Sequence, residues 1–293
     1  MSAGARIAGF VATLAVVFGA AVGIGSAVGP TNRSESAERK AAGKGHGGAS
    51  AMAMKPGEHA GSAAPQGLSV ADDRFRLVAR TGGFVPGRPK AFEFRIVNSD
   101  GAVVRDFDVE HTKRLHLIVV RRDLTHYVHV HPVQQADGSW SVPLTFADPG
   151  TYRVFADFTA HGADRVTLGT DLIVPGASRP EALPPVAQRF SVDGYDVAIS
   201  GRGRVGVEGE LEFDVSRDGR PVKVEPYLGA DGHLVVLREG DLAYLHAHPL
   251  EQAGNGGPIK FMVEYPSAGR YRLFLQFQHA GTVHTAEFTQ EVK

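Results

Sequence analysis

The sequence predicts an all-β protein made of two tandem antiparallel β-sandwiches behind an N-terminal apolar helix and a flexible linker. Three observations predict it. From about residue 68 onward, short β-rich segments alternate with turn signals; few segments carry helical periodicity; and a histidine-bearing hairpin occurs twice. Strands of period two, broken by turn residues every 8–12 positions or so, form the pattern of a sandwich. An internal repeat means that the same unit is built twice.

Composition sets the outer bounds. A chain of 293 residues with 43% hydrophobic content is large enough for two cores. Net charge is −1 and no basic stripe stands out, so there is little to hold a phosphate backbone by counterion release, and nucleic acid is not an expected partner. The absence of cysteine removes disulfides, thiolate metal sites and cysteine nucleophiles. A metal here would have to rely on His, carboxylate or Met.

Residues 1–29 hold Arg6 and then an uncharged, mostly apolar run from Ile7 to Gly29. About 20 apolar residues cross a bilayer as a helix, so the run reads as a signal anchor. Cleavable signal peptides have shorter apolar cores, of about 7–15 residues, but Gly25 and Ala27 allow cleavage before Val28. The first reading places the protein in the cell membrane, single-pass, with its C-terminal domains outside the cytoplasm; the second makes it secreted. Arg33, Arg39 and Lys40 sit on the exported side, so orientation rests on the N-terminal position of the segment and not on the positive-inside rule.

Residues 30–67 are rich in Gly, Ala, Ser and Pro, too poor in large apolar groups to offset ordering entropy, and read as a flexible tether. His46, Met52, Met54 and His59 lie within it. Thioethers beside imidazoles suit copper, but no spacing rule connects these four, and compositional accident is the reading preferred.

The first sandwich is expected over 68–176, with strands at Arg74 to Ala79, Ala91 to Val97, Leu115 to Arg121, Tyr127 to His131, Ser139 to Phe146, Thr151 to Thr159 and Thr167 to Val174. That number of short strands in about 100 residues points to immunoglobulin-like organisation. The second sandwich, 185–293, repeats it. Phe92-Glu-Phe-Arg-Ile matches Leu211-Glu-Phe-Asp-Val, and Pro149-Gly-Thr-Tyr-Arg-Val-Phe matches Ala268-Gly-Arg-Tyr-Arg-Leu-Phe. Tyr152 and Tyr271, each in such a segment, read as core or tyrosine-corner residues. Pro, Gly and Ser crowd the seam between Pro175 and Pro185.

The candidate site is the repeated hairpin. Its first copy runs from His116 through Tyr127, His129 and His131 to Pro132, and its second from His233 through Tyr244, His246 and His248 to Pro249, without a gap at an offset of 117 residues. Leu115 to Arg121 is apolar on both faces, which places it centrally in its sheet. A loop of about four residues then fixes the register. Pairing Arg121 with His126 sets Ile118 opposite His129 and His116 opposite His131, and the same register sets His233 opposite His248. Period-two alternation puts the last two histidines of each copy on one face, where the first joins them as a cross-strand neighbour. A slip of one residue would move it to the other face.

Three imidazoles can coordinate Cu(II), Zn or Ni and leave an open position, with copper first on affinity order and zinc the alternative. They can equally form a structural cluster bonded to carbonyls and hydroxyls, with the prolines ending the strand. Asp157 is matched by Gln276, which argues against a shared carboxylate ligand. His161 and His279 read as loop residues, and His111, His126 and His284, without counterparts, as surface residues. His-x-His on a strand also occurs in cupins, but Glu251 of the second copy faces Gln134 and Gln135 in the first, and the glycine spacing is missing. No nucleophile elbow, zincin helix or phosphate loop is present, so no enzymatic activity is expected.

The run from His116 to Pro132, followed by Pro149-Gly-Thr-Tyr-Arg-Val-Phe-Ala-Asp-Phe, resembles exported actinobacterial proteins with immunoglobulin-like domains of the YtkA-like or heavy-metal-binding type. The resemblance covers about residues 68 to 293 and implies an envelope location and a link to copper handling. The chain departs from copper-resistance sandwiches of the CopC type in lacking an N-terminal His ligand and a Met-rich loop in its globular part. The expectation is therefore a membrane-anchored extracytoplasmic protein that binds a transition metal through His116, His129 and His131 in one site and His233, His246 and His248 in another, for sequestration or delivery. The alternative is an envelope interaction module, with a protein partner and structural histidines.

Overall fold

A computed structural model of the chain describes residues 65–250 and 257–293. The apolar N-terminal run, the tether histidines and methionines, and Glu251 lie outside the described residues. Among the described residues every regular element is a β-strand, and no helix is long and apolar enough to cross a membrane.

The first repeat contains β1 (Phe75–Ala79), β2 (Lys90–Asn98), β3 (Leu115–Arg121), β4 (Val128–Val130), β5 (Val133–Gln134), β6 (Trp140–Leu144), β7 (Gly150–Phe158) and β8 (Val166–Val174). Each expected segment holds a strand, and β5 is an addition. The second repeat contains β9 (Arg189–Val192), β10 (Tyr195–Ser200), β11 (Glu208–Arg217), β12 (Arg220–Pro221), β13 (His233–Arg238), β14 (Tyr244–Leu245), β15 (Ala247–Pro249), β16 (Ile259–Glu264), β17 (Gly269–His279) and β18 (Thr282–Val292). The first repeat forms two sheets, β1-β2-β6-β5 and β4-β3-β7-β8; the second forms β9-β10-β11-β16-β15, with β12 on β11, and β14-β13-β17-β18. All their pairings are antiparallel.

Alternation along the central strands explains what packs where. Leu115, Leu117 and Val119 of β3 and Val154, Ala156 and Phe158 of β7 point into the core of the first sandwich. Leu234 and Val236 of β13 and Leu273, Leu275 and Phe277 of β17 do the same in the second. The residues between them face outward, yet Ile118, Val120 and Phe155 of the first repeat share a third core with Val235, Leu237, Tyr244 and Phe274 of the second. The strands are apolar on both faces because the outer face of one sandwich is covered by the outer face of the other. Removing these aromatic and branched side chains from water stabilises the pairing by about 1.5–3 kcal/mol for each one fully buried.

The contacts across this third core are reciprocal. Tyr127 stacks on Phe274 with ring centroids 4.1 Å apart, and Tyr244, the counterpart of Tyr127, meets Phe155, the counterpart of Phe274, at 5.5 Å. Residue i meeting j while j's equivalent meets i's equivalent is the mark of an isologous interface, here between two repeats of one chain. The chain enters through it. The Tyr244 amide donates to the Gln66 carbonyl and the Gly67 amide to Thr167, so the last residues of the expected linker are already paired. Gly67 has φ +73°, and a Cβ there would lie 2.6 Å from the Phe155 ring, which excludes a larger residue. The tyrosine corners are present in both sandwiches: Tyr152 donates to the Asp148 carbonyl and Tyr271 to that of Ser267, each at 2.8 Å.

Candidate metal centre

In the first hairpin β3 and β4 pair as Leu117 with Val130, Ile118 with His129 and Val119 with Val128, the register the loop length predicts. Val128 and Val130 point into the first core, so His129 and His131 face the other way, toward the second repeat. His116 lies on the same outward face as Ile118 and Val120. One nitrogen from each of His116, His129 and His131 falls within 4.8 Å of the others. Their ring centroids are 4.8 to 5.2 Å apart.

One hydrogen bond fixes a tautomer, that of His116. His116 Nε2 lies 3.0 Å from the Glu110 carbonyl oxygen, which can only accept, so Nε2–H donates and Nδ1 keeps its lone pair. His129 Nδ1 lies 2.7 Å from Gln276 Oε1. The Gln276 amide nitrogen lies 3.4 Å from Thr285 Oγ1, a hydroxyl that can donate as well as accept and so pairs with either orientation of the amide. With Gln276 Oε1 toward the ring, His129 donates through Nδ1 and keeps its lone pair on Nε2, which then faces the His116 Nδ1 lone pair at 3.0 Å. With the amide reversed, His129 accepts at Nδ1 and donates through Nε2 to His116 Nδ1. His131 Nε2 is buried nearby without a partner.

Burial keeps the rings neutral. It lowers the His116 pKa against the opposing pull of the Glu110 carbonyl. Burial, with the neighbouring His116, lowers His129 to about 3 and His131 to about 4. Neutral imidazoles with outer N–H groups held by oxygen acceptors are the state in which histidine ligates a metal. Two nitrogens bound about 2.0–2.1 Å from one ion would sit about 2.9 Å apart in square-planar and 3.3 Å in tetrahedral geometry. The observed 3.0 Å fits that range.

The second hairpin begins alike and then departs. Val236 pairs with Leu245 and Leu237 with Tyr244, as the register predicts. The chain then crosses to the other sheet, where β15 pairs with β16 and His248 lies opposite Met262. In the first repeat the crossover comes later, at Val133. The expected opposition of His233 and His248 is therefore not formed, and the triplet His233, His246 and His248 does not converge. Pairing of Ala247 to Pro249 with the edge of β16 draws this segment away. His248 is exposed, and its ring is 6.2 Å from that of His246.

His233 joins the first cluster instead. It stacks on His116 at 5.5 Å and 12° and lies 4.5 Å from His129, with Nδ1 buried and unpartnered. Burial, then His129, holds its pKa well below the ordinary value. His246 takes the place reciprocal to His129. Just as His129 reaches Gln276 of the second repeat, His246 faces Asp157 of the first, at 4.0 Å. Asp157 is buried and already engaged by Arg165 and by Thr167 Oγ1 at 3.1 Å. Burial alone would raise its carboxyl, but the guanidinium overrides this and lowers it.

Other histidines differ from their expected places. His111 is half-buried and not free of the cluster: at φ +46° it turns its ring to within 6.1 Å of His116 and 6.0 Å of His233. His284 is buried against Asp193 at 2.8 Å. His126 is half-buried beside Asp148. His161 is exposed and bonded to Asp108, whereas His279 is half-buried with Nδ1 2.8 Å from the Tyr195 hydroxyl. Gln276, the group that contacts His129, entered the sequence reading only as the counterpart of Asp157, an argument against a shared carboxylate; the structure pairs it with His233 across β13 and β17 and places it against His129.

Comparison with curated proteins finds no match. Similar solved structures include a chimeric titin Z1Z2-Z1Z2 tandem, 14% identical over 74% of this chain and 96% of that one at a TM-score of 0.20. The N-terminal Ig1-2 module of the Drosophila receptor protein tyrosine phosphatase DLAR is 10% identical over 75% and 99% at 0.21. Domains 5–6 of the S-layer protein SbsC are 14% identical over 74% and 98% at 0.23. At those scores the fold rests on the sheets themselves. A family model matches twice, over residues 69–170 and 190–293, one match for each sandwich. The chain belongs to the family defined by the domain of unknown function DUF8832.

Proposed function

We propose that the protein is a membrane-anchored extracytoplasmic binding protein for a transition-metal ion, copper first and zinc second, acting in sequestration or delivery and not in catalysis. One observation carries this reading. His116 Nδ1 and His129 Nε2 face each other at 3.0 Å while both outer nitrogens are turned to oxygen acceptors. With Gln276 accepting from His129, two lone pairs meet at that distance and repel unless a cation lies between them, and a proton is disfavoured by the burial that lowers both pKa values. His131, with its unpartnered Nε2, is the third ligand. Copper is preferred because affinity for imidazole sites peaks at Cu(II), and the YtkA-like, heavy-metal-binding resemblance points the same way. The extracytoplasmic location rests on the apolar run from Ile7 to Gly29.

The test is calorimetric titration of the full chain with Cu(II) and Zn(II), beside a His129→Ala/His131→Ala variant. Saturable binding in the wild type, lost in a variant that keeps its β-sheet circular dichroism, supports the proposal. No saturable binding in the wild type overturns it. The histidine pair is then an ordinary structural contact, and the search turns to an envelope protein partner.

A further inference from the structure

The two repeats do not carry one site each; the residues point to one centre between them. His116 and His233 are counterparts, and they meet each other ring on ring, 5.5 Å apart at 12°. At an isologous interface only residues on the symmetry axis meet their own equivalents. The first histidine of each hairpin thus lies at the approximate axis, and one copy's metal position is within reach of the other copy's ligand.

Two further features single out His233. Among the described residues, the buried histidine nitrogens without a partner are His131 Nε2 and His233 Nδ1, both in this cluster. An unpaired buried polar atom is destabilising unless something satisfies it. Two ring spacings place His233 beside this set. Imidazoles sharing one ion, with metal–nitrogen bonds of about 2.0–2.1 Å, have centroids roughly 5 Å apart. The pairs among His116, His129 and His131 fall at 4.8 to 5.2 Å, and His233 lies 5.5 Å from His116 and 4.5 Å from His129.

We infer that His233 is the fourth ligand, so that one ion per chain is held by three imidazoles of the first repeat and one of the second and ties the two sandwiches together. This rests on the metal-binding reading above. The His116, His129 and His131 nitrogens already lie within 4.8 Å of one another; His233 completes the set by turning its ring about its side-chain torsions. His246 is left out because Arg165 and Asp157 occupy its side of the axis as an ion pair. His248 is left out because the crossover of β15 carries it to the surface.

The experiment is X-ray absorption spectroscopy on the full chain loaded with one equivalent of Zn(II) or Cu(II), with binding isotherms for the wild type and for His233→Ala, His233→Gln and His248→Ala. The inference expects one ion per chain and four imidazoles in the wild type. It expects three imidazoles and affinity lower by about 10- to 100-fold or more in both His233 variants, with His248→Ala unchanged. A wild-type ion with three imidazoles, or His233 variants that keep wild-type affinity, overturns the shared centre while leaving metal binding intact. A wild type that takes up no ion overturns both. Should His233→Ala fail to fold, the wild-type imidazole count and the His233→Gln variant still decide.

Discussion

The two hairpins share their histidines, tyrosine and proline at a fixed offset, yet only the first assembles a cluster. In the first, β4 stays on β3 through Val130 and keeps His129 and His131 beside His116. In the second, pairing with β13 ends at Leu245, and Ala247 is already on another sheet. The residues facing them differ as well. His129 meets the neutral carbonyl of Gln276, whereas His246 meets a carboxylate neutralised by Arg165. A guanidinium beside His246 repels a metal cation, and in this half-buried setting the repulsion is less screened than in open solvent. A duplicated motif is therefore not a duplicated site. When the repeats pack face to face, equivalent residues fall around one axis, and two incomplete sets can form a single centre.

The largest expected effect concerns what the hairpins still share. Tyr244→Ala should cost about 3–5 kcal/mol in urea unfolding, the range for truncating a large buried aromatic, and Tyr127→Ala, whose ring is partly buried, toward the lower end of it, because their contacts with Phe155 and Phe274 are reciprocal. A loss confined to one of them would break the symmetry of the interface. Next comes what the hairpins do not share: His129→Ala should weaken metal binding by about 100-fold, at or above the top of the range for loss of an outer-shell partner. His246→Ala should leave the isotherm within about threefold of wild type by the same standard. Equal losses would restore the picture of two sites.

Acid should separate the hairpins less sharply. In the metal-free protein, the His129 and His131 pKa values lie at about 3 and about 4, below the 6.5 of an unperturbed histidine. The unfolded chain then binds more protons between pH 6.5 and those values, so stability is full above pH 6.5 and falls as pH is lowered. For His129 alone the loss between pH 6.5 and 5 is about 2 kcal/mol. The second hairpin contributes through His233, held well below the ordinary value by burial, and through His246, lowered to about 4 by burial against the opposing pull of Asp157. Urea midpoints against pH should therefore flatten more in His129→Ala/His131→Ala than in His246→Ala. The smallest effect is at the orienting group. Gln276→Glu keeps an acceptor on His129 Nδ1 and adds charge, so metal affinity should rise by up to about tenfold; a fall would mean that Gln276 donates to His129 and that the cluster is closed without a metal.

Much of this was legible in the sequence. Strand positions followed from alternation and turns, and the β3–β4 register followed from a four-residue loop and was found as expected. The shared centre was not legible, for two physical reasons. Pairing partners beyond the hairpin decide where a strand changes sheets, and nothing in Ala247-His248-Pro249 announces that β16 will claim it. The double-faced apolarity of β3 and β13 also has two causes. A central position in the sheet accounts for one face, but Ile118, Val120, Val235 and Leu237 needed a cover, and the other repeat supplies it. Read that way, the same strands would have placed His116 and His233 on opposing surfaces.

The most direct test of the single centre is anomalous diffraction from crystals of the full chain grown with one equivalent of Cu(II) or Zn(II), recorded on both sides of the metal edge. The account predicts one anomalous peak per chain, within bonding distance of His116 Nδ1, His129 Nε2 and the His131 and His233 rings, and none beside His246 or His248. Two peaks per chain, one at each hairpin, or a peak remote from His116 and His129, would contradict it.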